Sequence, residues 1–154
     1  RSRRVGDVAA RAGLTVMVEF VRSSAFLHDL PTTLRLVRRA AHPNVAVLFD
    51  CYHFWSTTGA LSQLADLRPG DVRHVHLQDV PDMPRAQLDG STRVMPGDGI
   101  APLEATLTAL SASGYDGALS VELFHPRFVA MGPYELAREA RRKGEALIAR
   151  AFPA

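Results

Sequence analysis

The stretch that decides the fold is VAVLFDCYH, residues 45–53. It predicts a buried β-strand that ends on Asp50, followed closely by His53. Side chains alternate across a strand, so Phe49 faces one side while Leu48 and Asp50 face the other. A strand that is apolar on both faces is typical of a covered parallel sheet, where ligands bind at the carboxyl ends of the strands. Asp50 and His53 are therefore candidate site residues, or else Asp50 caps the next turn and His53 is polar lining.

The composition predicts one soluble α/β domain. The chain has 154 residues, of which 47% are hydrophobic, enough for a single core. The net charge of +2 comes from arginines spread over predicted helix faces such as those of Arg35, Arg38 and Arg141, which favours solvated faces over a nucleic-acid surface. Cys51 is the only cysteine, so an internal disulfide is excluded and a cytoplasmic location is expected. We find no apolar run long enough for a membrane span and no secretory signal.

The same design recurs at three other predicted strands, each of which ends on a ligand-type side chain. These residues are Glu19, His76 and Glu122, in strands over residues 14–20, 72–77 and 117–122. Glycine, proline and helical periodicity predict helices in the intervening sequence and beyond the last strand. The first of these helices carries Val5, Val8, Ala9 and Ala12 at helical spacing. The predicted helices cover residues 1–13, 29–41, 60–67, 102–114 and 133–150.

The residues beneath these strand ends are small or polar, whereas aliphatic residues occupy the opposite faces. Thr15, Ala46, His74 and Ser120 share a face with the ligand-type residues. That division favours the interior of a closed barrel over an open sheet. The long polar connection over residues 78–99 exceeds the usual loop length and indicates a functional loop.

The four strand ends together predict a cation site. If the three carboxylates and the imidazole converge at one rim, their negative charge requires a bound cation. The alternative is that they are four unrelated polar residues at strand ends. The oxygen-rich set suits Mn²⁺, Mg²⁺ or Co²⁺, with Zn²⁺ as a further option, and the lack of thiolates argues against a structural zinc. Such an ion stabilises an enediolate derived from a substrate ketone while a flanking glutamate moves the proton.

The motifs that carry this pattern resemble the C-terminal half of the sugar phosphate isomerase/epimerase superfamily, the xylose-isomerase-like TIM barrels. The likeness is greatest to the inosose (2-keto-myo-inositol) isomerases. It implies that residues 1–154 form one partial domain, four β/α units of a (β/α)8 barrel. The motifs are Glu19, DCYH at 50–53, HVHLQD at 74–79, RVMPGDG at 93–99 and SVELF at 120–124.

The resemblance also implies a role for each site residue. Glu19 and Glu122 would move the proton, and His53 would bind a substrate oxygen beside the metal. Arg93 would hold a substrate hydroxyl or oxyanion, unless it is a solvated loop arginine. One divalent metal ion would be ligated by Glu19, Asp50, His76 and Glu122.

Other residues near these motifs have supporting roles in this interpretation. Asp79 would orient the neighbouring loop or His76. The segment 97–99 is expected to make the turn before the next helix, because it lacks the lysine and further glycines of a phosphate loop. Phe54 and Trp55 would form an apolar wall for a sugar ring or pack into the core, and we expect at least one of them to pack.

Three alternatives to a cyclitol isomerase remain open at this stage. They are a 3-dehydroshikimate dehydratase-like lyase, an AP endonuclease-like repair enzyme and an inactive barrel fragment that mediates assembly. The endonuclease is disfavoured because its further D-x-H motif is absent from the loop at 93–97. The expected partner is a small sugar or cyclitol, without nucleic acid or membrane. Because four strands leave two open edges, we expect the chain to be inactive alone and to self-associate.

Overall fold

The computed structural model describes residues 2–153 as a four-stranded parallel sheet with helices between the strands. The strands lie side by side in chain order, so each crossover returns to the neighbouring position. This arrangement confirms the predicted β/α repeat. The strands are β1 (Val16–Glu19), β2 (Val45–Asp50), β3 (Val72–His76) and β4 (Leu119–Ser120).

The helices follow the predicted pattern, with two short additions. Asp29 caps the second helix by accepting the Thr32 N–H at 2.7 Å, and Pro31 lies in its first turn, as expected. The additions are α3 and α6, which are too short to show a helical period in the sequence. The helices are α1 (Ser2–Arg11), α2 (Leu30–Ala40), α3 (Cys51–Trp55), α4 (Leu61–Leu64), α5 (Leu103–Ala112), α6 (Pro126–Val129) and α7 (Pro133–Ala151).

Two details of the first helix and the last strand differ from the prediction. In α1 the valines Val5 and Val8 are exposed, whereas Gly6 and Ala9 are buried. A Cβ at Gly6 would lie 2.5 Å from the His42 ring, so glycine allows the helix to approach this closely. β4 is only two residues long, which leaves Glu122 in the segment beyond it. Arg1, the first residue of the predicted helix, lies outside the described residues.

Several of the surface arginines form ion pairs. Arg141 and Arg142 form ion pairs with neighbouring glutamates on the exposed face of α7. Arg38 differs from the predicted solvated arginine, because its guanidinium reaches Asp71 at 2.5 Å and joins α2 to the start of β3. Among residues 2–153, no helix combines the length and the apolar character needed to cross a membrane.

An aromatic cluster underlies the carboxyl end of the sheet. The ring of Phe49 lies 5.7 Å from Phe20 and 5.0 Å from Phe54, centroid to centroid, and all three side chains are buried. Each phenylalanine is the sequence neighbour of a candidate site residue. Because side chains alternate along a strand, packing Phe20 and Phe49 into the core turns Glu19 and Asp50 toward the opposite face.

We predict that Phe49→Ala destabilises the chain by about 3–5 kcal/mol, because it removes the central ring and leaves a cavity. The measurement is the free energy of unfolding from urea denaturation. Leu61→Ala, at a position that is 42% exposed on α4, is the matched control and should change stability by less than about 1 kcal/mol. Equal effects of the two substitutions would contradict this account of the core.

Candidate metal centre

The structure brings the four predicted ligand residues together at the carboxyl end of the sheet. One ligand atom from each side chain lies within 4.8 Å of the others. The Nδ1 atom of His76 is central, at 3.3 Å from Glu19 Oε1 and 3.5 Å from both Asp50 Oδ2 and Glu122 Oε2. This convergence is what a single-ion site requires.

Strand register accounts for the convergence. Asp50 and His76 are direct partners across β2 and β3, and His76 pairs with Ser120 on β4. Glu19 ends β1, and Glu122 extends from the segment after β4. Parallel strands in register place their carboxyl ends at one rim, so side chains from distant parts of the sequence face the same point.

Two atoms at this point lack ordinary partners. Within the described part of the chain, Glu19 Oε1 and His76 Nδ1 are buried and make no hydrogen bond. Buried polar atoms are rarely left in this condition, and a bound cation would account for both. Three carboxylates and one imidazole also form a donor set suited to a divalent ion. The residues present therefore fit the metal that the sequence predicts.

Arg93 is a buried member of the same cluster. Its side chain is only 3% exposed, and its NH2 atom lies 3.5 Å from Asp50 Oδ2 and 3.3 Å from Glu122 Oε2. Its guanidinium carbon lies 4.9 Å from the ring centroids of both Tyr52 and Phe124. The alternative of a solvated loop arginine is thus wrong. Three carboxylates and one guanidinium leave a charge of −2, which one divalent ion neutralises if His76 is uncharged.

The crowded charges shift the pKa values of the cluster in opposite directions. The carboxylates of Asp50 and Glu19 raise the pKa of His76 to about 10. Burial is the largest influence on Asp50 and acts to raise its pKa, but the combined effects of His76, His53 and Arg93 outweigh it, so that pKa is lowered. Burial raises the pKa of Glu122 against the opposing effect of His76. A glutamate with a raised pKa is suited to proton transfer.

Asp50 combines its two predicted roles, one on each oxygen. Its Oδ1 caps α3 by accepting the His53 N–H at 2.6 Å, while its Oδ2 faces the cluster. The capping interpretation is therefore confirmed, and it leaves Oδ2 available to the cluster.

His53 lies against Arg93 at the edge of the cluster. Its Nε2 atom is 3.1 Å from Arg93 NH2, and its Nδ1 accepts the backbone N–H of Arg22 at 3.3 Å. Burial lowers the pKa of His53, which favours the neutral ring. A neutral imidazole has one N–H and one acceptor, yet both nitrogens face donors here. The neutral ring therefore cannot accept from both Arg22 and Arg93. If Nε2 separates from Arg93, it can form a hydrogen bond with a ligand oxygen.

Asp79 organises the loop and does not contact His76. It accepts the backbone N–H groups of Gly97, Gly99 and Ala101 at 3.0–3.1 Å, in addition to that of Val80. These amides are thereby occupied, so the segment is a turn and not a phosphate cradle. A Cβ at Gly99 would lie 2.2 Å from the Val80 carbonyl oxygen, which requires glycine there.

Three contributors to the site have no recognisable sequence signal. Arg22 donates to the carbonyl oxygens of Leu88 and Arg85, the latter at 3.0 Å, and Tyr52 OH donates to that of Asp89 at 2.6 Å. These bonds fasten the segment that leads into Arg93. The third contributor, Gln78, is hydrogen-bonded to Asp50.

Phe54 and Trp55 both have packing roles. Phe54 is buried in the aromatic cluster. The Trp55 indole N–H donates to Thr106 Oγ1 at 3.1 Å, which joins α3 to α5. The contacts of these two rings are explained without a sugar.

The comparison with protein families agrees with this geometry. The model of the xylose isomerase-like TIM barrel family matches residues 1–147. The chain belongs to this family. A solved relative, the IOLI protein crystallised with a bound zinc atom, superposes with a TM-score of 0.92 at 25% identity over 99% of this chain and 55% of that one. A xylose isomerase domain protein from Alicyclobacillus acidocaldarius has a TM-score of 0.81 at 32% identity, over 97% and 57% of the two chains.

Curated relatives include two kinds of enzyme. The inosose isomerase of Bacillus velezensis is 28% identical over 149 residues, which cover 96% of this chain and 53% of that protein. The 3-dehydroshikimate dehydratase of Pseudomonas putida is 32% identical over 131 residues, or 83% of this chain and 20% of that protein. The chain thus spans about half the length of the inosose isomerases, which confirms its likeness to half of a (β/α)8 barrel.

We predict that His76 titrates near pH 10 in the metal-free protein, because three carboxylates favour its protonated ring. The measurement is an NMR titration of the imidazole resonances. Asp50→Asn should lower the midpoint, whereas Glu145→Gln on the exposed face of α7 should not. Below this pKa a cation must displace the proton, so metal affinity should rise with pH up to about 10. A midpoint near the ordinary histidine value of about 6.5 would contradict the description of the cluster.

Proposed function

We propose that the protein containing this chain is a divalent-metal-dependent isomerase of a sugar or cyclitol ketone, with inosose as its substrate. The observation that carries the proposal is the convergence of four ligand atoms within 4.8 Å, with Arg93 and His53 beside them. The inosose isomerase relatives support the choice of substrate. In this proposal the ion, one of Mn²⁺, Mg²⁺, Co²⁺ or Zn²⁺, is held by Glu19, Asp50, His76 and Glu122.

The bound ion would supply a Lewis acid that polarises the substrate ketone. Glu122 is the stronger candidate for the base, because burial raises its pKa and its carboxylate lies at the rim. It removes the proton from the carbon next to the carbonyl, and the C–H electrons form the enediolate. Return of a proton to the former carbonyl carbon, with loss of the neighbouring hydroxyl proton, completes the isomerisation. Glu19, whose Oε1 also lies against His76 Nδ1, would serve as the second proton carrier.

Arg93 and His53 would position the substrate and balance its charge. The guanidinium is fixed between two rings, so it enters the reaction already oriented. An arginine held in this way stabilises a developing oxyanion without reorganisation. The neutral His53 would donate or accept one hydrogen bond to a substrate hydroxyl, in exchange for its contact with Arg93.

A second candidate is loss of water from 3-dehydroshikimate. It begins with the same proton abstraction beside a ketone, and the 32% identity to a dehydratase favours it. The two reactions differ in whether the enediolate is reprotonated or expels a hydroxyl group.

The strands at both edges of the sheet are open on one side in residues 2–153, so we infer that further β/α units, in the same polypeptide or a second copy, complete the pocket.

The test is a screen of the metal-replete protein against inosose, ketohexoses and 3-dehydroshikimate. We expect isomerisation of inosose, loss of activity with a chelator, and solvent deuterium in the product formed in deuterated water.

Glu122→Gln should lower kcat by about 10²–10⁴-fold with the fold intact, whereas Glu135→Gln on α7 should not. Dehydration without isomerisation would favour the second candidate. A hydride-shift isotope signature, or activity that ignores chelators, would exclude the proposed mechanism.

Arg93→Lys tests the substrate-positioning role. Lysine keeps the positive charge but loses the planar fork, so it cannot contact Asp50, Glu122 and a substrate oxygen together. Loss of one charged hydrogen bond of about 1.5–3 kcal/mol corresponds to a fall of roughly 10–150-fold in kcat/KM. Arg85→Lys in the exposed part of the loop is the control. Unchanged kcat/KM in Arg93→Lys, with a normal circular dichroism spectrum, would rule out this role.

A further inference from the structure

Gln78 is a buried polar side chain that the proposed reaction does not use. It follows β3 two residues after His76, and it is fully buried. Its Nε2 atom donates to Asp50 Oδ2 at 2.6 Å. The recipient is the carboxylate oxygen that faces the candidate metal centre, so this bond acts directly on a proposed ligand atom.

The bond from Gln78 completes the fixation of the Asp50 carboxylate. The other oxygen, Oδ1, is held by the backbone N–H of His53 at 2.6 Å. With one donor on each oxygen, rotation of the carboxylate would break both bonds. Only Oδ2 also faces the cluster, at 3.5 Å from His76 Nδ1 and 3.5 Å from Arg93 NH2. A carboxylate held in this way presents one oxygen to an ion and keeps the other turned away.

The chemistry of the Gln78 amide points to the site. Its Oε1 atom is buried and has no hydrogen-bond partner among residues 2–153. An unsatisfied buried oxygen is costly, and an apolar side chain of similar volume would avoid that cost. The amide also donates without adding charge, whereas a lysine would disturb the balance between the cluster and a divalent ion. The presence of glutamine at position 78 is therefore explained by the N–H group that it donates to Asp50.

We propose that Gln78 is a positioning residue that keeps Asp50 a one-oxygen ligand and thereby sets the affinity and coordination number of the bound metal ion. This inference rests on the proposed function of the cluster. Without the Gln78 donor, only the His53 N–H still opposes the rotation of the carboxylate that brings Oδ1 toward the ion. The ion then gains a ligand atom, while the rigid geometry that favours its binding is lost.

The test compares Gln78→Met with Gln87→Met, a glutamine on the exposed part of the loop. Each metal-free protein is titrated with Co²⁺ and Zn²⁺ by calorimetry, and the visible spectrum of the Co²⁺ form is recorded. We expect Gln78→Met to bind both ions about 10–100-fold more weakly, as for other residues that orient metal ligands. Its Co²⁺ bands should lose intensity as the coordination number rises, and Gln87→Met should match the wild type.

Gln78→Asn provides a second variant that keeps an amide but is one methylene too short to reach Asp50. It should show the same weakening and the same spectral change. Wild-type affinity and spectrum in both Gln78 variants would overturn the inference while the metal site itself stands. Failure of the wild type and Gln87→Met to bind either ion would overturn the proposed site and this inference with it. Unfolding of both Gln78 variants in the metal-free state would show a structural role and would also overturn it.

Discussion

The main constraint on this structure is the electrostatic repulsion among three carboxylates that meet at one partly buried point. Glu19, Asp50 and Glu122 surround His76 at distances of 3.3–3.5 Å, where water cannot screen them fully. Charges desolvated in this way require compensation nearby. Arg93 supplies part of it, and the carboxylates raise the pKa of His76, which favours a protonated ring as a further source of positive charge when no ion is bound. In the proposed function, a divalent ion would take the place of that proton and leave the set neutral.

The rest of the fold holds these charges in position. The aromatic cluster of Phe20, Phe49 and Phe54 fixes the strand ends and the start of α3 from the core side. On the outer side, Asp79 gathers the backbone amides of the long loop, and Tyr52 holds its middle section. The loop in turn delivers Arg93 into the cluster. Packing and loop hydrogen bonds therefore serve the same arrangement from opposite sides.

Strand-end residues were predictable from the sequence because alternation and strand order are local patterns. Glu19, Asp50 and His76 fall at the ends of apolar strands, and parallel pairing brings them to one rim. Glu122 was predicted as a site residue, and it reaches the cluster although β4 ends two residues before it. Local patterns could not predict three other features. These are the burial of Arg93, the hydrogen bonds from Arg22 to the long loop, and the hydrogen bond from Gln78 to Asp50. Each depends on contacts between segments separated by tens of residues, which no local period records.

The buried face of α1 differs from the predicted one for a similar reason. Periodicity favoured Val5 and Val8 as core residues, but the close approach of α1 to the sheet requires Gly6 instead. Tertiary packing thus selected the small residue over the apolar ones.

The central claim is that one divalent ion is bound by side chains at the ends of the first three strands and just beyond the fourth. Anomalous diffraction from crystals of the protein grown with Mn²⁺ or Zn²⁺ tests it most directly. The account predicts a single strong anomalous peak at the centre of Glu19, Asp50, His76 and Glu122, with Asp50 contributing one oxygen. A peak elsewhere, a second ion of equal occupancy in the cluster, or an empty cluster at saturating metal would contradict it.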